Sequence, residues 1–175
     1  MGDQASRSAR AAILTCKCFE RQSFCTRPQT FRTPRGGLGR EGEGELNARL
    51  VFDGSDHSTA NATVISESGR NDLYARQPDL SYTAPQGVFD RLTLNSGDGS
   101  FTLRRKDRSQ LRFDCNGVLL SLADRDANTT PLTYSAGPLT TVTAPDGRTL
   151  GFSYDGSGRI ALITDPIART ITFSY

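Results

Sequence analysis

Few residues in this sequence have types suited to chemistry: one histidine, four cysteines and a series of aspartates. Acid–base catalysis needs a histidine or paired carboxylates poised in a pocket. His57 sits in a Gly/Asp/Ser-rich stretch, and its neighbours Ser55 and Ser58 lack the context that exposes a nucleophilic serine. The sequence therefore predicts no catalytic residue and no enzyme. Three cysteines cluster as Cys16-x-Cys18-x6-Cys25, with Cys115 far away. That spacing lacks the paired C-x2–4-C of a zinc site, and His57 is more than thirty residues from Cys25. The cluster reads as free thiols on a disordered arm, with no metal and no cofactor. Asp124, Asp126, Asp146, Asp155 and Asp165 follow neither EF-hand nor glycine-rich nonapeptide spacing. They read as turn formers, because aspartate bonds its own backbone two residues on.

The elements that carry these residues differ along the chain. Residues 1–40 hold seven arginines and one lysine against Asp3 and Glu20, a net of about +6 in a chain whose total is +2. They show no strand-like alternation and no helical period. Their Arg- and Ser-rich character fits an organelle transit peptide, a basic tail, or sequence outside the frame of a longer gene; each places them outside the fold. Ala11-Ala12-Ile13-Leu14 is too short for the apolar region of a secretory signal, and no run is long enough for a membrane-spanning helix. Gly36-Gly37-Leu38-Gly39 and Glu41-Gly42-Glu43-Gly44 read as a linker.

From about Leu46 short apolar segments alternate with turn signals every eight to twelve residues, among them Asp53-Gly54, Asp98-Gly99, Asn116-Gly117 and Asp165-Pro166. This predicts an all-β fold. The organisation expected is a basic, disordered segment over 1–40, a β-rich region over 41–100 and a repeat region over 101–175. The basic stretch Arg104-Arg105-Lys106, with Arg108 and Arg112, reads as a solvated strand face rather than a nucleic-acid site, because acidic residues adjoin it.

Self-similarity is the strongest signal. Gly117, Gly137 and Gly158 stand 20 and 21 residues apart, and Phe113, Tyr134, Tyr154 and Tyr175 keep step at 21, 20 and 21. After each glycine comes a strand, then an Asp/Pro-containing turn, then a second strand ending at the aromatic. Each period is two strands and two turns, and glycine supplies the positive φ that one of the turns demands. Each tyrosine is expected to bury its ring against the neighbouring hairpin with its hydroxyl near water. A lone hairpin is marginal in water, so the copies must stack side by side. Six or seven strands would give a sheet about 30 Å wide.

Tyr154-Asp155-x-x-Gly158-Arg159-Ile160, followed by Thr164-Asp165-Pro166-x-x-Arg169-Thr170, closely resembles the bacterial YD repeat of RHS proteins. The resemblance runs from Phe101 to Tyr175, with a leading half-copy at Lys106–Phe113 and Phe113-Asp114 in place of Tyr-Asp. The middle copy, Tyr134-Ser135-Ala136-Gly137, lacks the aspartate and is one residue shorter; the third has Ala168 where glycine is usual. The resemblance implies tandem β-hairpins in a curved antiparallel sheet, a strip of an RHS-type β-shell that encloses a C-terminal toxin or effector. It also implies a secreted or cell-surface setting, and further YD repeats of a longer chain as partners. The chain is expected to be a fragment, to do no chemistry of its own, and to self-associate through an open sheet edge. The alternative is a module that binds carbohydrate or another surface ligand, which requires solvent-facing tyrosines.

Overall fold

The computed structural model describes residues 45–175. The expectations for the basic arm and for Cys16, Cys18 and Cys25 lie outside the described residues. After a short 3-10 turn at Glu45–Asn47, thirteen strands follow without an α-helix among the described residues. Strands β1 (Arg49–Phe52), β2 (Ala62–Ile65), β3 (Asn71–Arg76) and β4 (Tyr82–Thr83) form a four-stranded sheet in chain order. The second sheet holds nine: β5 (Arg91–Leu94), β6 (Phe101–Arg104), β7 (Gln110–Phe113), β8 (Leu119–Ala123), β9 (Thr129–Tyr134), β10 (Leu139–Thr143), β11 (Thr149–Tyr154), β12 (Ile160–Thr164) and β13 (Thr170–Thr172). Every pairing is antiparallel and joins neighbours in sequence, so the fold is an up-and-down meander. The sheet exceeds the six or seven strands expected because the β5–β6 hairpin joins it ahead of the repeats.

Alternation places the apolar side chains in continuous rows. Leu92, Leu103, Leu111 and Leu122 face one another across β5 to β8. Leu94, Phe101, Phe113 and Leu119 form the adjacent row. Residues directly opposite in a ladder share a face, so both rows point the same way. The small sheet covers that face. Ala48, Leu50, Ala62, Val64, Tyr74 and Tyr82 join the two rows in a single buried cluster, and the Phe52 and Phe101 rings lie 5.0 Å apart. Phe101 and Phe113 are wholly buried, each contributing about 3 kcal/mol of transfer free energy.

The apolar face continues past the cover. Leu132, Val142 and Leu150 stand opposite one another, as do Phe152, Ile163 and Ile171. Leu132 and Leu139 are the last fully buried positions; beyond them the row is half-buried, and Ile171 is 53% exposed. Sheet order alone does not tell the strands apart. Cover does.

Two contacts at β1 fix where the cover sits. The Leu50 amide donates to the Gly117 carbonyl at 2.9 Å. A Cβ at Gly117 would lie 2.3 Å from the Leu50 carbonyl oxygen, so this close approach needs glycine as well as its φ of 85°.

Candidate functional site

The repeat residues gather into one structural device, used several times. Consider first the turns. In Asp114–Val118, Asp124–Asn128, Asp155–Arg159 and Asp165–Arg169 the aspartate amide donates to the carbonyl four residues on, and the fourth residue donates back to the aspartate carbonyl. The fourth residue is left-handed in each: Gly117, Ala127, Gly158 and Ala168 have φ of 85°, 66°, 75° and 64°. This is the three-residue hairpin loop, a type I turn with a left-handed bulge residue. One carboxylate oxygen of each aspartate accepts two backbone amides, as Asp155 does from Ser157 at 2.8 Å and Arg159 at 2.9 Å. Pro166 holds the φ that the first turn position requires.

Arginine completes the later copies. Arg159 Nε donates to Asp155 at 2.8 Å and Arg169 Nε to Asp165 at 2.5 Å. Backbone hydrogen bonds from Arg159 lead the effects that hold the Asp155 carboxyl below the usual carboxylate range. At Asp165 burial pushes the other way, and the bonds from Arg169 outweigh it. Asp124, Asp155 and Asp165 thus spend acceptor capacity on their own loops, and Asp146 accepts the Arg148 amide at 3.1 Å, whereas Asp126, also expected as a turn former, meets the Arg125 Nε at 3.5 Å. Among the described residues no cluster of His, Cys, Asp or Glu has the arrangement of a metal site.

The strand ends carry the second part. Tyr134, Tyr154 and Tyr175 donate their hydroxyls to the carbonyls of Leu119, Leu139 and Ile160 at 2.7, 2.7 and 3.0 Å, each fifteen residues back. Those acceptors are the residues where the register shifts: the ladder slips just after Leu119, Leu139 and Ile160. A β-bulge disrupts the local ladder, and the phenol supplies a donor there. The expectation that the hydroxyls stay near water is corrected at Tyr134 and Tyr154, which are half-buried. Burial pushes the Tyr134 hydroxyl up to about 12 and raises Tyr154 as well. Tyr175 is 59% exposed, with the Arg159 guanidinium 4.3 Å from its ring centroid. Phe113, the aromatic without a hydroxyl, lies in the core under the small sheet.

The geometry also explains the uneven period. Ser135 donates to the Pro138 carbonyl across only two residues, Ala136 and Gly137, with φ of 52° and 112°. This two-residue turn has positive φ at both centres, as a primed hairpin turn requires. The missing residue is lost from the turn, so the fifteen-residue interval from bulge to tyrosine is the same in all three copies.

Other residues singled out in the sequence have local partners. His57 stacks on Phe52 with ring centroids 4.3 Å apart and donates from Nδ1 to the Cys115 carbonyl at 2.7 Å. Ser58 Oγ donates to Asp56 at 2.6 Å, so serine and histidine are engaged separately. Cys115 is disulfide-bonded. In the basic stretch Arg105 pairs with Glu67 at 2.9 Å, Arg112 pairs with Asp98, and Lys106 stands 4.9 Å from the Phe89 ring centroid. Sequence reasoning missed the bulge carbonyls and the Leu50–Gly117 seat. The fixed interval of fifteen was readable as a period; the hydroxyl's acceptor was not.

Residues 134–170 match the family model described as RHS Repeat. A search of curated proteins finds no match.

Proposed function

We propose that this chain, which carries RHS repeats, is a wall segment of an RHS-type β-shell, with no active site of its own and with a toxin or effector encoded beyond it as cargo. The observation that carries the reading is the tyrosine-to-bulge hydrogen bond, made by the same atoms at the same interval in three successive hairpins. Such a device builds a sheet of any length without presenting a reactive group. The half-bare apolar face of β10–β13 suits the inner side of a larger enclosure, whose contents would cover it. RHS repeats are generally extracellular or surface-associated, which fits a delivered shell. No helix among the described residues is long and apolar enough to cross a membrane.

The carbohydrate-binding alternative asks for solvent-facing tyrosines. Tyr74 and Tyr82 are buried and Tyr134 and Tyr154 half-buried, each with its hydroxyl donated to a backbone carbonyl, which leaves Tyr175 as the exposed one. The experiment is an immunoblot of the native gene product with antibody against residues 100–175. A band far above 19.0 kDa supports a wall segment of a larger shell; a band at 19.0 kDa overturns the enclosure and leaves an open sheet.

A further inference from the structure

We propose that the link Asn116–Gly117 is a spontaneous modification site, held shut by the small sheet, whose conversion to isoaspartate releases that sheet from the repeats. The inference is independent of the enclosure of a cargo, since it concerns one peptide link and its neighbours.

Asparagine followed by glycine occurs once in the sequence. Glycine has no side chain to shield its amide nitrogen, and that nitrogen is a nucleophile toward the preceding side-chain amide. The Gly117 nitrogen bonds to Asn116 Cγ, its proton passes to base in the solvent, and ammonia leaves. Water then opens the cyclic imide at either carbonyl. Opening at Cγ leaves an ordinary aspartate at position 116. Opening at the backbone carbonyl routes the chain through Cβ and Cγ as isoaspartate, one backbone atom longer.

The fold holds this reaction back. Asn116 is exposed, and it is the second central residue of the type I turn, where ψ lies near about 0°. Closing the imide ring needs that ψ rotated well away, and the Gly117 N–H is already donated to the Asp114 carbonyl at 3.0 Å. Asp114 Oδ1 also accepts the Asn116 and Val118 amides, at 2.9 and 2.8 Å. The turn must therefore open first, and the small sheet clamps it from outside. The Cys115 carbonyl accepts His57 Nδ1 at 2.7 Å, and the Gly117 carbonyl accepts the Leu50 amide at 2.9 Å. These two anchors straddle the reactive link.

The same arrangement gives the modification its effect. An added backbone atom between positions 116 and 117 changes the spacing of the two anchors. Gly117 has no slack to absorb it, since the Leu50 carbonyl oxygen lies 2.3 Å from where its Cβ would be. The equivalent places in the other three loops of this kind hold Asp126-Ala127, Ser157-Gly158 and Ile167-Ala168. The reactive pair thus stands in the one of these turns that anchors β1.

The test follows the oxidised full chain, in which Cys115 is disulfide-bonded, in mildly alkaline buffer. Peptide mapping separates asparagine, aspartate and isoaspartate at position 116. The folded chain should react at least about tenfold slower than a peptide of residues 112–120, because the closed turn reacts only when it opens. Asp114→Ala removes two hydrogen bonds to a carboxylate and should raise the rate about tenfold or more. Phe152→Ala weakens the far half of the sheet and should leave the rate unchanged. In the isoaspartate fraction the amide signals of β1 to β3 should leave their folded positions, whereas Asn116→Asp, with an ordinary backbone, should keep them. Equal rates in chain and peptide, no acceleration in Asp114→Ala, or equal acceleration in Phe152→Ala would each overturn the proposal. So would undisturbed β1 to β3 signals in the isoaspartate fraction, or their loss in Asn116→Asp.

Discussion

Strands β6 and β7 and strands β11 to β13 belong to one sheet and follow the same hairpin rules, yet only the first pair buries side chains completely. The Asp turns close equally well in both regions, at 2.8 to 3.0 Å in Asp114–Val118 and in Asp155–Arg159. Register and turn geometry therefore do not depend on a second layer; they come from the short-range motif. What the four-stranded sheet adds is removal of apolar surface from water, and with it most of the hydrophobic stabilisation.

The comparison is sharpest for matched phenylalanines. Phe113→Ala, in the covered row, is expected to destabilise by about 4 kcal/mol, and Phe152→Ala, half-buried in the open row, by about 1.5 kcal/mol. Urea unfolding of the two variants reads the difference directly. Equal losses would mean that the open face is covered in solution.

The next largest effect is expected at a pair of glycines with identical φ of 85°. Gly117→Ala drives a methyl group into the Leu50 backbone, for an expected loss of about 3 kcal/mol. Gly147→Ala meets nothing within 4 Å and bears only the left-handed strain, about 1 kcal/mol. Thermal melts that showed the same shift for both would break the claim that the β1 seat demands glycine.

A smaller change separates tyrosines. Tyr134→Phe leaves the Leu119 carbonyl without its phenol donor in a half-buried place and should lose about 1 kcal/mol. Tyr175→Phe removes an exposed bond and should change little, as denaturant midpoints would show.

Acid should be the weakest discriminator. Hydrogen bonds from Ser100 depress the Asp98 carboxyl in the covered half, and those from Arg159 depress Asp155 in the open half. A depressed folded value means that stability is present above the unfolded pKa of about 4 and is lost as pH falls through the lower folded value. The Asp98 side chain is 48% exposed and the Asp155 side chain 26%, so solvent screens both and the loss is modest and shared. Amide spectra from pH 7 to 2 should show both halves loosening together.

Much of this was legible because it is local. Asp155, Gly158, Arg159, Asp165, Pro166 and Arg169 announce their turns through backbone preferences that act over five residues, and Phe113, Tyr134, Tyr154 and Tyr175 keep the period visible. What stayed hidden is long-range or compensated. Nothing in the residue types of Leu50 and Gly117 states that they meet. The bulges at Leu119, Leu139 and Ile160 were masked because an extra strand residue leaves the apolar pattern readable on either side. The tyrosine hydroxyls were placed near water because amphipathicity alone cannot name an acceptor.

The tyrosine interval also sets an order of assembly. Each phenol closes a loop of fifteen residues, whereas the Leu50–Gly117 bond joins positions sixty-seven apart. Loop closure grows as about 1.5 RT ln n, so the longer loop is harder to close by about 1.3 kcal/mol and must wait for both of its ends to be built. The hairpins can zip from any copy to its neighbour, each closing at the same entropic charge, and the four-stranded sheet then settles onto rows already in register.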